Sequence, residues 1–302
     1  MLRTDAALDL LAIGQISLDR VRVGEAGAAE LPRFTGGETA SAALAVARLG
    51  GRVAWQGAVG DDPAAEQVLA PLVAAGVDCG GVKRVLGGHT RGALIRVDPS
   101  DGERTVEPER DPRVALAPED LDPARIAAAR VVLLDVEDPA ASLRAAELAG
   151  KAGAKLVLDA EWPFTGWETL LERIDFPIVS RPFAEEISKG SARGGLLALA
   201  ARARCLAVVT LGADGAIACA AGSTEVVASP AFRVEACDTT GAGDAFHAGF
   251  IWGLLQGLDA AATLRTAHAV AALGCTALGA QEGLPDRQML NAFLAEREGE
   301  AR

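Results

Sequence analysis

The segment Asp238-Thr-Thr-Gly-Ala-Gly-Asp-Ala-Phe246 sets small residues directly before an apolar run that includes Phe250, Trp252 and Leu254. A glycine turn feeding a helix leaves the first N–H groups unpaired and pointing outward, and the helix dipole adds to their attraction for an anion. Gly241, Ala242 and Gly243 are therefore candidates to cradle a phosphoryl group. Asp244 falls in the first helical turn, within reach of whatever the turn binds. Transfer of a phosphoryl group to a hydroxyl needs a carboxylate near the nucleophile and positive potential around the transferred group, and this one segment supplies both. The competing reading is structural: Asp238 and a threonine cap the helix, the glycines turn the chain, and Asp244 complements the dipole. Two familiar phosphate loops are excluded. Phe246 stands where a dinucleotide fingerprint needs a third glycine, and no G-x-x-x-x-G-K-[ST] run occurs.

Such a turn has to be held by surrounding elements, and the chain shows what they are. Leu8 to Ile13 reads as a buried strand stopped by Gly14, with Asp19 just beyond it. After Gly36-Gly37, Thr39 to Leu49 reads as a helix closed by Gly50. Strand-like runs at Val131–Val136, Lys155–Asp159, Phe176–Val179 and Cys205–Thr210 alternate with helical ones such as Ala140–Gly150. This alternation predicts an α/β fold, a doubly wound, mostly parallel sheet with helices on both faces. Short pieces at Arg20–Val23 and Leu31–Phe34, with a hairpin of Thr90–Val97 and Glu103–Glu107 around Pro99-Ser-Asp-Gly102, predict a small β lid from segments near 20–35 and 90–110. Helices are expected at Ala242–Gln256, Ala260–Leu273 and Asp286–Ala295. No Pro-, Gly- or Ser-rich linker divides the chain, so residues 1–302 are read as a single domain.

In the 302 residues half are hydrophobic and 23% charged, enough apolar material for a large core. The formal charge of -12 repels nucleic acid and anionic lipid, which argues against both as partners. It does not exclude a nucleotide held by local N–H groups or a metal ion. Five scattered cysteines without a C-x-x-C pair argue against a disulfide framework and structural zinc, and point to a reducing compartment. With no signal-peptide pattern, and no apolar run near the roughly 18 residues a membrane span requires, a cytoplasmic protein is expected.

Three stretches in order make the sequence resemble the ribokinase-like, or PfkB-type, carbohydrate kinases, nearest the ketohexokinase and sulfosugar-kinase branch. Asp238 to Phe246 resembles the family's C-terminal signature. Gly36-Gly-Glu-Thr-Ala-Ser-Ala-Ala-Leu-Ala-Val-Ala-Arg-Leu-Gly50, followed by Gly60-Asp61-Asp62, resembles its N-terminal one. Thr210-Leu-Gly-Ala-Asp-Gly215 resembles the turn beside the nucleotide. The resemblance implies ATP-dependent phosphorylation of a sugar hydroxyl with Mg²⁺, and an optional monovalent cation. It implies Asp244 as base and Gly241, Ala242 and Gly243 as the anion hole. Acceptor contacts would come from Asp19, Gly36, Gly37 and Ser41, and nucleotide contacts from Ser180, Thr210, Gly212 and Gly215. A homodimer through the β lid is the assembly such a fold allows.

The sequence also departs from the family. Ser41 stands where most members carry a sugar-binding Asn, Glu38 adds a carboxylate beside it, and Ser180-Arg-Pro-Phe183 replaces the usual Asn-x-x-Glu that organises metal-bound water. Arg104 follows the hairpin turn, where a branch member's arginine faces the active site, and is a candidate for a phosphate contact. Asp135, Glu137, Asp159 and Glu161 end two neighbouring strands, where an open α/β sheet binds its ligand. Acidic walls favour a neutral acceptor, and a ketose is expected. Rival readings are a nucleoside or 2-keto-3-deoxysugar-acid kinase, and a sensor that kept the fold without the reaction. The histidines His89, His247 and His268 are read as packing or surface residues.

Overall fold

The computed structural model describes residues 2–23, 32–97 and 104–297. Its strands are β1 (Leu8–Ile13), β2 (Ser17–Val23), β3 (Arg33–Gly36), β4 (Val53–Gln56), β5 (Ala58–Gly60), β6 (Lys83–Val85), β7 (Gly92–Val97), β8 (Arg104–Glu109), β9 (Ala129–Leu134), β10 (Lys155–Ala160), β11 (Phe176–Ser180), β12 (Leu206–Thr210), β13 (Ala216–Ala220) and β14 (Val226–Ser229). Its helices are α1 (Glu38–Arg48), α2 (Pro63–Ala74), α3 (Pro123–Ala127), α4 (Pro139–Ala152), α5 (Trp167–Leu171), α6 (Arg181–Ser188), α7 (Ala192–Ala200), α8 (Ala242–Leu255), α9 (Ala260–Gly274) and α10 (Arg287–Glu296).

Eight strands form the main sheet in the order β14-β13-β12-β11-β10-β9-β1-β4. From β4 to β12 every pairing is parallel, and β13 and β14 close one edge antiparallel. Because a central parallel strand is covered on both faces, its residues are apolar throughout and divide by alternation. Leu10 and Ala12 of β1, Val131 and Leu133 of β9 and Val157 of β10 enter one core with α1, α8 and α9. Leu11, Ile13, Val132, Leu134, Leu156 and Leu158 enter the other, under α4, α6 and α7. The α/β fold with a mostly parallel sheet, expected from the alternation of runs, is the fold found.

The lid is a separate sheet, β3-β2-β7-β8, in which β2 pairs β7 in parallel and the β2/β3 and β7/β8 pairs are antiparallel. The two sequence-distant lid segments do join, whereas Leu31 and the turn Pro99–Gly102 lie outside the described residues. One boundary moved with consequence. β9 stops at Leu134, short of the expected Val136, because the carboxylate of Asp135 folds back to accept N–H bonds from Gln15 (2.7 Å) and Glu137 (3.2 Å). The C-terminal ends of β1, β9, β10, β11 and β12 thus stand side by side, opposite the start of α8.

Candidate active site

Gly241 caps α8 with φ +76°, the left-handed region that glycine enters without steric cost. A Cβ there would come within 2.8–2.9 Å of Ala280, its backbone oxygen included, so this turn admits no side chain. Gly243 is different. Its backbone is helical and a Cβ would meet nothing within 4 Å, because the position opens onto a cavity of about 520 Å³. Thr210, at the end of β12, and Gly212 and Gly215 beyond it line the same cavity, together with Ala242 and Gly243. The expected nucleotide turn therefore shares one space with Ala242 and Gly243 of the expected anion hole, while Gly241 is not part of its lining. Of the three N–H groups, that of Ala242 is turned back onto the Thr239 carbonyl at 3.2 Å.

Ser180 does not join them. It ends β11 and caps α6, its hydroxyl accepting from Phe183 N at 3.2 Å and donating to the Glu161 carbonyl at 2.6 Å, and it is not among the cavity's lining residues. Ser180, with Pro182 in the first turn of α6, makes an ordinary helix start, a structural role for a residue expected at the nucleotide. A cavity of about 520 Å³ with Gly243 opening onto it leaves room for an ATP phosphate chain. Among the described residues no three His, Cys, Asp or Glu side chains converge on a metal-binding arrangement. A magnesium ion, which keeps most of its waters and binds through nucleotide phosphates, does not require one.

On the other side of Asp244 lies a group of carboxylates brought together from four elements. Asp244, half-buried, is pushed up to about 7 by burial first and then by Asp159, against smaller opposing effects of His247 and a hydrogen bond from Ser41. Asp159, in β10, is raised to about 7 by burial and by Glu161. Glu38, the first residue of α1, is raised well above the usual range by burial and by Asp159, Asp135, Asp244 and Glu137. Asp135 is fully buried and also raised to about 7, burial again leading. Its place, against Gly14 and the N–H groups of Gln15 and Glu137, makes it a brace for the β1 and β9 loops and not a wall of the crevice.

At the lid end, Asp19 lies over Gly36, where any Cβ would collide with its carboxylate, and burial raises its pKa despite bonds from Ser17 and the Ala93 N–H. Gly37, at φ +104°, leads into α1 against the Gln15 carbonyl, and Ser41 is buried inside α1. Glu137 is ion-paired. Arg91, itself buried, and Arg110 both bind it, at 3.4 Å and 2.7 Å, and Arg91 also reaches Asp138 at 3.1 Å. The Glu137 carboxylate is thus offset by two guanidinium groups and presents no bare negative wall. Glu161 is exposed at its strand end. Arg104 opens β8 opposite Val97, but its side chain lies outside the described residues.

Three residues of this region were not legible in advance. His247 is buried, with Nδ1 3.2 Å from Asp159 Oδ2 and 2.9 Å from the Gly243 carbonyl, and Nε2 3.2 Å from the Ile178 carbonyl; burial lowers its pKa. Its spacing of three from Asp244 on one helix was the available signal. For Arg91 and Gln281 the sequence offered none, since their partners are distant in the chain.

The sequence profile described as "pfkB family carbohydrate kinase" matches residues 7–287. The ribokinase of Haemophilus influenzae is 28% identical over 267 residues, covering 86% of this chain and 87% of that protein. Fructokinase-1 of Oryza sativa subsp. japonica is 31% identical over 307 residues, covering 91% and 94%. The crystal structure of ribokinase from Thermotoga maritima superimposes with a TM-score of 0.82 at 25% identity, covering 95% of this chain and 99% of that one. With a glycine turn at a helix start, a carboxylate beside it and a second small sheet, all within the span of that match, the chain belongs to the pfkB family of carbohydrate kinases.

Proposed function

We propose that this protein transfers the γ-phosphoryl group of ATP, with Mg²⁺, to a hydroxyl of a neutral sugar, a ketose, with Asp244 as the base. The observation that carries the reading is the place of Asp244. It sits in the first turn of α8 with the phosphate-sized opening at Gly243 on one side, Asp159 and Glu38 on the other, and its carboxyl poised near neutral pH. A base of this strength accepts the proton as the hydroxyl oxygen attacks phosphorus, and the N–H groups and dipole of the turn offset the charge on the transferred group. The lid, through Asp19, covers the acceptor and limits the competing attack of water.

Neutrality of the acceptor follows from charge. Asp159, Glu38 and Asp244 crowd the crevice, and the guanidinium groups of Arg91 and Arg110 are engaged by Glu137 and Asp138. A sulfonate or carboxylate would find Arg91 and Arg110 already engaged, whereas sugar hydroxyls exchange hydrogen bonds with carboxyl groups in either protonation state. The test compares kcat/KM for fructose-like ketoses with sulfofructose, 2-keto-3-deoxygluconate and nucleosides. A preference of tenfold or more for either anion, about 1.4 kcal/mol, overturns the neutral-acceptor reading. In parallel, Asp244→Asn should keep the fold and lose about two to four orders of magnitude in turnover; more than half the native rate would remove Asp244 as base.

The same reading puts the enzyme in the cytoplasm with its nucleotide, and no helix among the described residues is long and apolar enough to cross a membrane. It also includes a homodimer formed through the lid, whose edge strands β3 and β8 pair on one side only among the described residues. A monomeric mass by sedimentation would eliminate the dimer.

A further inference from the structure

A second cavity, of about 430 Å³, adjoins the one at Gly243 and is walled by three guanidinium groups, those of Arg233, Arg265 and Arg297. Aromatic rings hold two of them in place. The Arg265 guanidinium stands 4.7 Å from the centre of the Phe232 ring and that of Arg297 3.9 Å from the centre of Phe293, and the two rings meet edge to face at 5.2 Å. Stacking fixes the plane of a guanidinium and leaves the N–H groups along its edge to reach past the ring. Arg265 gives one of its N–H groups to the Arg297 carbonyl at 2.5 Å, its one hydrogen bond among the described residues. Acidic residues outnumber basic ones 41 to 29 in the chain, yet among the described residues no carboxylate pairs with Arg233 or Arg265. Glu296 lies 3.6 Å from Arg297 with its side chain largely exposed.

Like charges gathered around one cavity repel one another, and an anion that bridges them relieves the repulsion. A phosphate group carries about two negative charges at neutral pH and enough terminal oxygens to accept from several guanidinium groups at once. A single carboxylate is filled by one guanidinium fork, so the wall suits phosphate better.

This wall also belongs to the nucleotide cavity. Ala231, Phe232 and Arg233 line both spaces. They follow β14 directly, and a Cβ on Gly215 would collide with the Ser229 carbonyl and the Ala231 nitrogen, so the Gly215 turn backs straight onto the same segment.

We propose that the arginine cavity is a second anion site, which binds a phosphate-bearing small molecule and, through Arg233 and the segment 229–233, opposes the binding of ATP. Both ligands draw on one guanidinium and bring charge of one sign to one wall, so each weakens the other, by the same factor in either direction. The site is independent of the reading of Asp244 as base. Its effect on ATP rests on the assignment of the 520 Å³ cavity to the nucleotide.

Calorimetry on the full chain measures the two bindings separately. With the nucleotide cavity filled by a nonhydrolysable ATP analogue, inorganic phosphate and fructose 1-phosphate are each titrated in, and one site per chain is expected, weakening as salt is raised. Tighter binding of fructose 1-phosphate marks an organic ester, the reaction product included, as the source of the phosphate group; equal binding marks free phosphate. Arg265→Gln should weaken the site about tenfold and Arg265→Lys by less. Arg233→Gln changes an exposed residue outside the helices and strands, and serves where Arg265→Gln impairs folding. In the native chain saturating phosphate should raise the Kd of the analogue by about fivefold, and in Arg233→Gln it should not. Absence of binding to the filled chain, or native affinity in both Arg233→Gln and Arg265→Gln, overturns the site. An analogue Kd that phosphate leaves unchanged in the native chain overturns the link to ATP. Failure of the analogue to bind at all would instead remove the nucleotide reading, and phosphate titration of the empty chain, native against Arg265→Gln, would then decide the site.

Discussion

At the scale of single residues, the proposed base is one carboxylate, and its environment would set the pH at which it works. A base acts deprotonated, so with Asp244 held at about 7 the rate should rise with pH through neutrality and level above it. After burial, the charge of Asp159 is what raises Asp244. Asp159→Asn removes it, lowers the pKa of Asp244 and should move the acid limb of kcat/KM to lower pH; a profile that stays in place would show that the two acids do not interact. The two glycines of the turn should separate by phenotype. Gly241→Ala forces a Cβ into a left-handed residue packed on Ala280 and is expected to cost about 1–3 kcal/mol of stability. Gly243→Val adds bulk where there is room in the empty site but not beside a phosphoryl group, so turnover should fall while Tm stays close to native. Equal effects of both variants on Tm would return Gly243 to a purely structural role.

At the scale of elements, most of what positions these residues was readable because it is periodic. The strand at Leu8–Ile13 and the helix following Gly241 follow from runs of apolar residues and the punctuation beside them. Where an end shifted, a side chain competed with the ladder, as Asp135 did by folding back on β9. A cap serine and a ligand serine share a sequence context, and for Ser180 only the structure reveals the capping bond and the bond to Glu161. What periodicity does not carry is a side chain reaching across the chain. Arg48 reads as the basic end of α1, yet it clamps two carbonyls of the segment under Gly241. Arg48→Ala leaves those carbonyls short of a donor and is expected to cost about 1–3 kcal/mol by denaturant unfolding and to raise the KM for ATP, while Arg48→Lys should recover part of both. Unchanged stability in Arg48→Ala would mean that α1 and α8 are held by apolar packing alone.

At the scale of the whole molecule, the formal charge of -12 was legible from composition and the gathering of acids from their strand ends, but not that burial raises several of them together. That concentration has a consequence for stability. Asp135, Asp159 and Asp244 sit at about 7 in the folded protein against an ordinary 3.8, and Glu38 is raised as well. Between those values the folded chain binds more protons than the unfolded one, so the stability they contribute is complete below about pH 4 and is lost as pH rises through about 7. His247 and His268 oppose this. Both are lowered by burial, His268 to about 4, so their contribution is lost as pH falls from about 6.5 toward 4. The acids are more numerous and their window extends higher, so Tm should be lower at about pH 8.5 than at about pH 6. Glu38→Gln removes one charge from the crowded group without removing a residue of the core, and should narrow the difference by raising Tm chiefly at the higher pH. Calorimetry at the two pH values measures it. A gap of native size in Glu38→Gln would show that the acids of the crevice do not act on one another, and that the pH dependence arises elsewhere on the molecule.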